Sequence, residues 1–238
     1  MKNIYILLAI CLFNSCDKST KISITKVEGS PAYEEAKLTL KDSIYKEDGD
    51  AYSFSFNVED YTLGAQTTKD FDYTLANSGK GQHIHLIINN GPYFAKYTDT
   101  FTQKMEEGNN VILAFLSRSY HESVKNPNAY VLTQTGTGDE IDLTNEHLFY
   151  SRPKGVYEGE ATEKLLLDFY LINTKIAADG NKVRATIQDT EFLIDEWAPY
   201  YIEGLPKGEI SIKLELINAN GDLIESPFNP STRTVTLK

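Results

Sequence analysis

The chain carries four histidines, His83, His85, His121 and His147. His83 and His85 are one residue apart. On an extended strand, residues i and i+2 project from the same face, so this spacing aims two imidazoles to one side, within chelating reach of a single ion. His121 and its neighbour Glu122 are the right residue types to complete three or four ligands, and imidazole donors suit zinc or copper. A second chemistry lies in the same stretch. Arg118, followed by Ser119 and Tyr120, offers a guanidinium and hydroxyls beside imidazoles, a combination that captures phosphate or carboxylate groups. Catalysis has no comparable support. The chain contains no Gly-x-Ser-x-Gly, no His-Glu-x-x-His, no phosphate loop and no Gly-x-Gly-x-x-Gly,. No nucleophile can be matched with a base, and the sequence reads as non-enzymatic. Ser43 and Lys46 have Ser-x-x-Lys spacing but stand in a strand-like stretch without companion motifs. The acidic run Glu47 to Asp50 reads as a hairpin turn, and Trp197, Tyr200 and Tyr201 read as packed between sheets.

Strands must position these groups, because no segment patterns as a helix. Residues Tyr52 to Val58 and Ile210 to Leu216 alternate apolar and polar at period two,. Asp48-Gly49, Asn90-Gly91-Pro92, Asp179-Gly180 and Asn220-Gly221 punctuate the strands as turns. Fifteen tyrosines and eleven phenylalanines suit pleated surfaces,. An internal repeat then organises the chain. Gly81 to Ile88 matches Gly180 to Ile187 at an offset of 99, and Glu107 to Leu116 matches Lys207 to Leu216 at an offset of 100. A repeat of about 100 residues built from short strands is the size of an immunoglobulin-like sandwich. The expected architecture is all-β, with two tandem immunoglobulin-like domains, 32–138 and 139–238, meeting at Gly136 to Asp139. The alternative is one longer sandwich.

The second half serves as an internal control for the first. Val183, Ala185 and Ile187 share one face of their strand, and the polar Lys182, Arg184 and Thr186 share the other, which must be the wet face. By alignment, Ile84, Leu86 and Ile88 point to the core, and His83, His85 and Ile87 point outward. Likewise Ser211, Lys213 and Glu215 correspond to Val111, Leu113 and Phe115. The two repeated segments would be antiparallel neighbours, so the start of one lies beside the end of the other. That brings His83 and His85 near Ser117 to Glu122, with three histidines at one end of one sheet, while His147 lies in the link to the second domain. Ile87, Val111, Leu113 and Phe115 form an apolar outer face where the twin is polar. Such a face marks a partner interface unless the other domain, or the long segment Tyr61 to Lys80, covers it.

The N-terminus supplies an address. Lys2 precedes an apolar run from Ile4 to Phe13, too short for a bilayer core that needs about 20 residues and suited to a secretory signal. Leu12-Phe13-Asn14-Ser15-Cys16 resembles the lipobox of bacterial lipoproteins. The resemblance implies a signal peptide 1–15 and a lipid on Cys16, and the polar residues 16–31 that follow read as a tether ending in a strand near Lys21 to Val27. Several acyl chains at Cys16 would anchor the protein to a membrane. The only cysteines are Cys11 and Cys16, so the body after cleavage has no disulfide, thiolate ligand or cysteine nucleophile. With 34 acidic and 23 basic residues the net charge is −11, which excludes nucleic acid as a partner.

Gln82 to Tyr93, Phe115 to Lys125 and Leu165 to Asn173 resemble a group of uncharacterised bacterial envelope lipoproteins sometimes named phosphopeptide-binding proteins. The resemblance implies recognition of a phosphorylated peptide, although the chain lacks a forkhead-associated pattern. Two readings follow. One is a membrane-anchored binding or scaffolding lipoprotein in the envelope of a diderm bacterium, on the outer membrane facing the periplasm. It would recognise a peptide or protein through Arg118, Ser119, Tyr120, Ile87, Val111, Leu113 and Phe115. The other is a copper or zinc protein using His83, His85, His121 and Glu122. A purely structural envelope protein is the third possibility.

Overall fold

A computed structural model describes residues 21–68 and 77–238. The expected signal peptide and Cys16 lie outside the described residues. The tether segment contributes β1 (Ser23–Lys26). The first half then contains β2 (Lys37–Leu40), β3 (Tyr45–Lys46), β4 (Ala51–Glu59), β5 (His83–Ile88), β6 (Phe94–Lys96), β7 (Thr100–Lys104), β8 (Asn109–Ser117) and β9 (Tyr130–Gly136). The second half contains β10 (His147–Arg152), β11 (Val156–Tyr157), β12 (Lys164–Ile172), β13 (Lys182–Ile187), β14 (Thr190–Ile194), β15 (Tyr200–Glu203), β16 (Gly208–Ile217) and β17 (Ser231–Leu237). A short 3₁₀ turn, Gly159–Thr162, precedes β12.

The two halves repeat one strand order. In the first, β4 lies between β2 (continued by β3) and β7, and the facing sheet runs β6-β5-β8-β9. In the second, β12 lies between β10 and β15, and the facing sheet runs β14-β13-β16-β17. This is an immunoglobulin-like sandwich, used twice. The repeated sequence segments are the equivalent central pairs, β5 with β8 and β13 with β16. The second sandwich gains two edge strands. β11 runs parallel to β17. β1 pairs with β15, from Ser23 opposite Glu203 to Lys26 opposite Tyr200. The strand at the end of the tether therefore belongs to the second half, although it precedes the first in sequence.

Side-chain alternation builds a core in each half. Tyr52, Phe54 and Phe56 of β4 meet Ile84, Leu86, Ile112 and Leu116 of β5 and β8. Leu165, Leu167 and Phe169 of β12 meet Val183, Ile187, Ile212 and Leu214 of β13 and β16. A third cluster joins the halves: Ile87, Val111, Leu113 and Phe115 pack against Phe149, Tyr170 and Ile172 of β10 and β12. Phe115 stacks on Tyr170 with centroids 4.7 Å apart. The molecule is thus four sheets deep, and strands β5, β8, β10 and β12 of its two inner sheets are buried on both faces. This overturns the expectation of an exposed partner patch at Ile87, Val111, Leu113 and Phe115, all of which are buried. Their apolar face is covered by an equally apolar face of the second half. The twin sheet is an outer layer, which is why it carries Arg184 and Lys213 paired with Glu215 at 2.9 and 3.0 Å.

Polar contacts align the two halves. Asn90 accepts from the Tyr150 amide at 2.8 Å, and Arg233 donates to the Asn90 and Gly91 carbonyls at 2.9 and 2.7 Å. Asp168 of β12 accepts from the amide and hydroxyl of Ser123, at 3.1 and 3.0 Å, and from Lys125.

Candidate metal centre

Three structural features bring the histidines together. β5 pairs antiparallel with β8 so that His83 lies opposite Ser117. His83 and His85 share the β5 face that turns toward the second half. Beyond β8 the chain makes a tight turn, closed by the Arg118 amide on the Glu122 carbonyl and the His121 amide on the Arg118 carbonyl, each at 2.9 Å. His121 sits in that turn at φ 68°, a left-handed conformation in which histidine is enriched. The turn folds its ring back over β5.

The resulting geometry is compact. His85 Nε2 lies 3.0 Å from His83 Nε2, and His83 Nε2 lies 3.1 Å from His121 Nδ1. All three ligand atoms fall within 4.8 Å of one another. Zinc–nitrogen bonds of about 2.0–2.1 Å in a tetrahedron place neighbouring nitrogens about 3.3 Å apart. The two short separations are therefore close to those of a ligand set around one ion.

Hydrogen bonds on the outer edges of the rings set the tautomers. His83 Nδ1–H donates to the Gly81 carbonyl at 2.8 Å, which leaves Nε2 bare. His85 Nδ1 lies 3.4 Å from Ser151 Oγ, which can accept its proton and leave Nε2 bare as well. The Tyr93 hydroxyl, 3.2 Å from His121 Nδ1, donates to that nitrogen in the metal-free chain, so its proton must turn away before Nδ1 can ligate. Two bare Nε2 atoms and the Nδ1 of His121 then converge on a common point. A single in-plane lone pair on His83 cannot satisfy two neighbouring rings, whereas a cation at that point satisfies all three. Outer partners that fix the ring orientation are a regular feature of histidine metal sites.

Protonation is disfavoured at all three rings. Burial lowers His83 to about 4, with Arg152 and Lys154 adding repulsion against the Gly81 hydrogen bond. Burial, followed by the charges of Arg152, His83 and Lys154, lowers His121 to about 2. Burial holds His85 well below the usual imidazole range. Neutral imidazole is the ligand form, so no proton need be displaced at neutral pH.

Tyr93, which follows the Asn90-Gly91-Pro92 turn, stacks on His85 at 3.6 Å and 9°. Lys154 of the second half lies 3.7 Å from the other face of Tyr93 and donates to its carbonyl at 2.6 Å. Tyr93, Ser151, Arg152 and Lys154 were not legible as site residues. The one available signal was the turn, which returns the chain alongside β5 as β6, with His85 opposite Ala95.

The remaining candidates are placed elsewhere. Glu122 does not join the cluster: its buried carboxylate pairs with Arg118 at 3.3 Å and accepts from the Ser30 hydroxyl. Adjacent residues in a tight turn point apart, so only one of His121 and Glu122 can face β5. Arg118 is buried, and its guanidinium donates to the Ser123 carbonyl at 2.8 Å and to the Pro31 carbonyl. Ser119 exchanges hydrogen bonds with Thr67 at 3.2 and 3.0 Å. Tyr120 packs with Val27 and Leu166. These three residues tie chain segments together and present no exposed patch. His147 lies apart, bound to Ser226 and to the Asp142 carbonyl.

No protein-family model matches the chain, and no curated protein does. Among solved structures, the fibronectin(III)-like modules of Clostridium thermocellum CbhA align at 12% identity over 84% of this chain and 94% of that one, with a TM-score of 0.31. The central fibronectin-III array of RIM-binding protein aligns at 7% identity over 85% and 68%, with a TM-score of 0.27. The Bacteroides ovatus mixed-linkage glucan utilization locus protein SGBP-B, in complex with a mixed-linkage heptasaccharide, aligns at 8% identity over 85% and 70%, with a TM-score of 0.23. At TM-scores this low the likeness says nothing about the site, and the duplicated strand order establishes the fold.

Proposed function

We propose that this chain is a non-enzymatic metal-binding lipoprotein of the bacterial envelope, holding one copper or zinc ion at His83, His85 and His121. It is tethered to the outer membrane, facing the periplasm, by acyl chains on Cys16, and consists of two immunoglobulin-like domains, 32–138 and 139–238. The observation that carries the reading is the convergence of three imidazole nitrogens, with separations of 3.0 and 3.1 Å between neighbours. Peptide capture at Arg118 is disfavoured because carbonyls and Glu122 occupy its guanidinium.

Calorimetric titration of the full chain with zinc and with copper at neutral pH tests the proposal. One ion per chain is expected, lost in His83→Ala/His85→Ala and also in His121→Ala. The His121 ring is the least buried of the three, so its removal preserves the fold most readily. Absence of histidine-dependent binding of either ion would remove the metal reading. Mass spectrometry of the membrane fraction, against Cys16→Ser, tests the anchor.

A further inference from the structure

The donor set is compatible with zinc and with both oxidation states of copper, because imidazole is a borderline ligand. Discrimination must then come from charge and coordination number. Every donor here is neutral. Among the described residues the convergent group is the three histidines alone, with no carboxylate. The adjacent acid, Glu122, is turned away to Arg118. Asp168, the carboxylate on the neighbouring strand β12, is engaged by Ser123 and Lys125. The Tyr93 hydroxyl stands 3.2 Å from His121 Nδ1.

The charges that act on the rings are cationic. Arg152 and Lys154 stand by the Tyr93 ring that stacks on His85 at 3.6 Å. Both lie on the side of Tyr93, with the Arg152 guanidinium 6.0 Å and the Lys154 ammonium 3.7 Å from its ring. Their positive charges repel any cation bound at the rings. His83 and His85 are fully buried, so water supplies little screening there. The cost of desolvating an ion grows with the square of its charge, and repulsion from fixed cations grows in proportion to it. A divalent ion therefore pays about four times the desolvation cost and about twice the repulsion of a monovalent one. Zinc in a three-histidine site also takes a fourth ligand, usually water. Tyr93 lies against two of the three donors, its ring 3.6 Å from that of His85 and its hydroxyl 3.2 Å from His121 Nδ1, which leaves less room for a fourth ligand. A d¹⁰ monovalent ion accepts two or three donors and needs no fourth.

We propose that the three-histidine centre is selective for the cuprous ion over zinc, with the cationic pair Arg152 and Lys154 and the crowding Tyr93 as its selectivity determinants. This rests on the metal reading above. His121, the partly exposed member, is the route of entry.

The test is a pair of affinity measurements on the full chain in detergent under anaerobic conditions. Cuprous ion is presented in ascorbate and read by competition with bicinchoninate. Zinc is read by competition with a fluorescent chelator. The cuprous ion is expected to bind one per chain with a Kd at least ~100-fold below that of zinc, and the silver ion, a redox-silent monovalent substitute, is expected to shift the ring-nitrogen resonances of the same three histidines. Lys154→Gln, which keeps a donor for the Tyr93 carbonyl, should narrow the gap about tenfold by improving zinc binding. Zinc binding as tight as cuprous binding, at one histidine-dependent ion per chain, would overturn the selectivity and leave the metal centre standing. Failure of both ions to bind in a histidine-dependent way would overturn both. An unchanged zinc affinity in Lys154→Gln would overturn the electrostatic cause.

Discussion

Asp168 is the point at which the architecture and the candidate site can be tested together. It is fully buried on β12 of the second half, and its partners Ser123 and Lys125 belong to the first half, just past the turn that carries His121. Asp168→Asn keeps the shape and removes the charge. Lys125 then loses its counter-ion with only 13% of its side chain exposed. Removing one partner of a buried pair costs about 3–5 kcal/mol. The partial exposure of Lys125 argues for the lower end, about 3 kcal/mol, a large share of a typical total of about 5–15 kcal/mol. In Asp168→Asn/Lys125→Met no charge is orphaned, so the double variant should lose only about 1–2 kcal/mol, well short of the sum of the two singles in the double-mutant cycle. The assay is urea unfolding of the metal-free chain at pH 7.5, followed by fluorescence of Trp197. This is the sole tryptophan, and it lies at the junction, edge-on to Tyr170 at 5.1 Å and with the Lys125 ammonium 5.8 Å from its ring. A loss below about 1 kcal/mol in Asp168→Asn, or a double variant equal to the sum of the singles, would refute a buried ion pair joining the halves.

Two further outcomes follow from the site. The folded chain holds His83 at about 4 and His121 at about 2, below the 6.5 of a free imidazole. The unfolded chain therefore takes up the protons, so this contribution to stability is whole above pH 6.5 and is lost as pH falls toward 4. Between pH 7 and pH 5 each of these two rings should cost the metal-free chain about 2 kcal/mol, with His85 acting in the same direction. Urea midpoints at pH 7, 6 and 5 check this, and His121→Asn should recover about 2 kcal/mol of the fall; a flat profile would count against buried neutral rings. Gly81 has φ 82°, and a Cβ there would lie 2.2 Å from the Gly64 carbonyl oxygen. Gly81→Ala should therefore displace the carbonyl that orients His83, destabilise the chain by about 2 kcal/mol or more, and weaken metal binding at least tenfold by the same calorimetric titration.

The architecture was legible because period-two patterning and a repeat of near-constant offset are local properties. Val183, Ala185 and Ile187 announce a half-buried strand, and their match to Ile84, Leu86 and Ile88 places β5 and β8 side by side. Antiparallel pairing alone then brings His83 and His85 next to the end of β8, so the histidine cluster follows from the sequence pattern. The apolar face of Val111, Leu113 and Phe115 was equally visible, but its occupant was not. Hydrophobic pattern states that a face must be covered and carries no information on what covers it.

The amino-acid sequence by itself determined the strands, their duplicated order and which faces are apolar, because those follow from backbone periodicity and nearest-neighbour pairing. Only the tertiary structure decided the rest. It placed β1 on the second sandwich, buried Arg118, Ser119 and Tyr120 inside the molecule, turned Glu122 toward Arg118, and brought Tyr93, Ser151, Arg152 and Lys154 around the histidines. Each of these depends on contacts between residues far apart in the chain. Such contacts are selected by the shape and charge of whole surfaces, which no local spacing encodes.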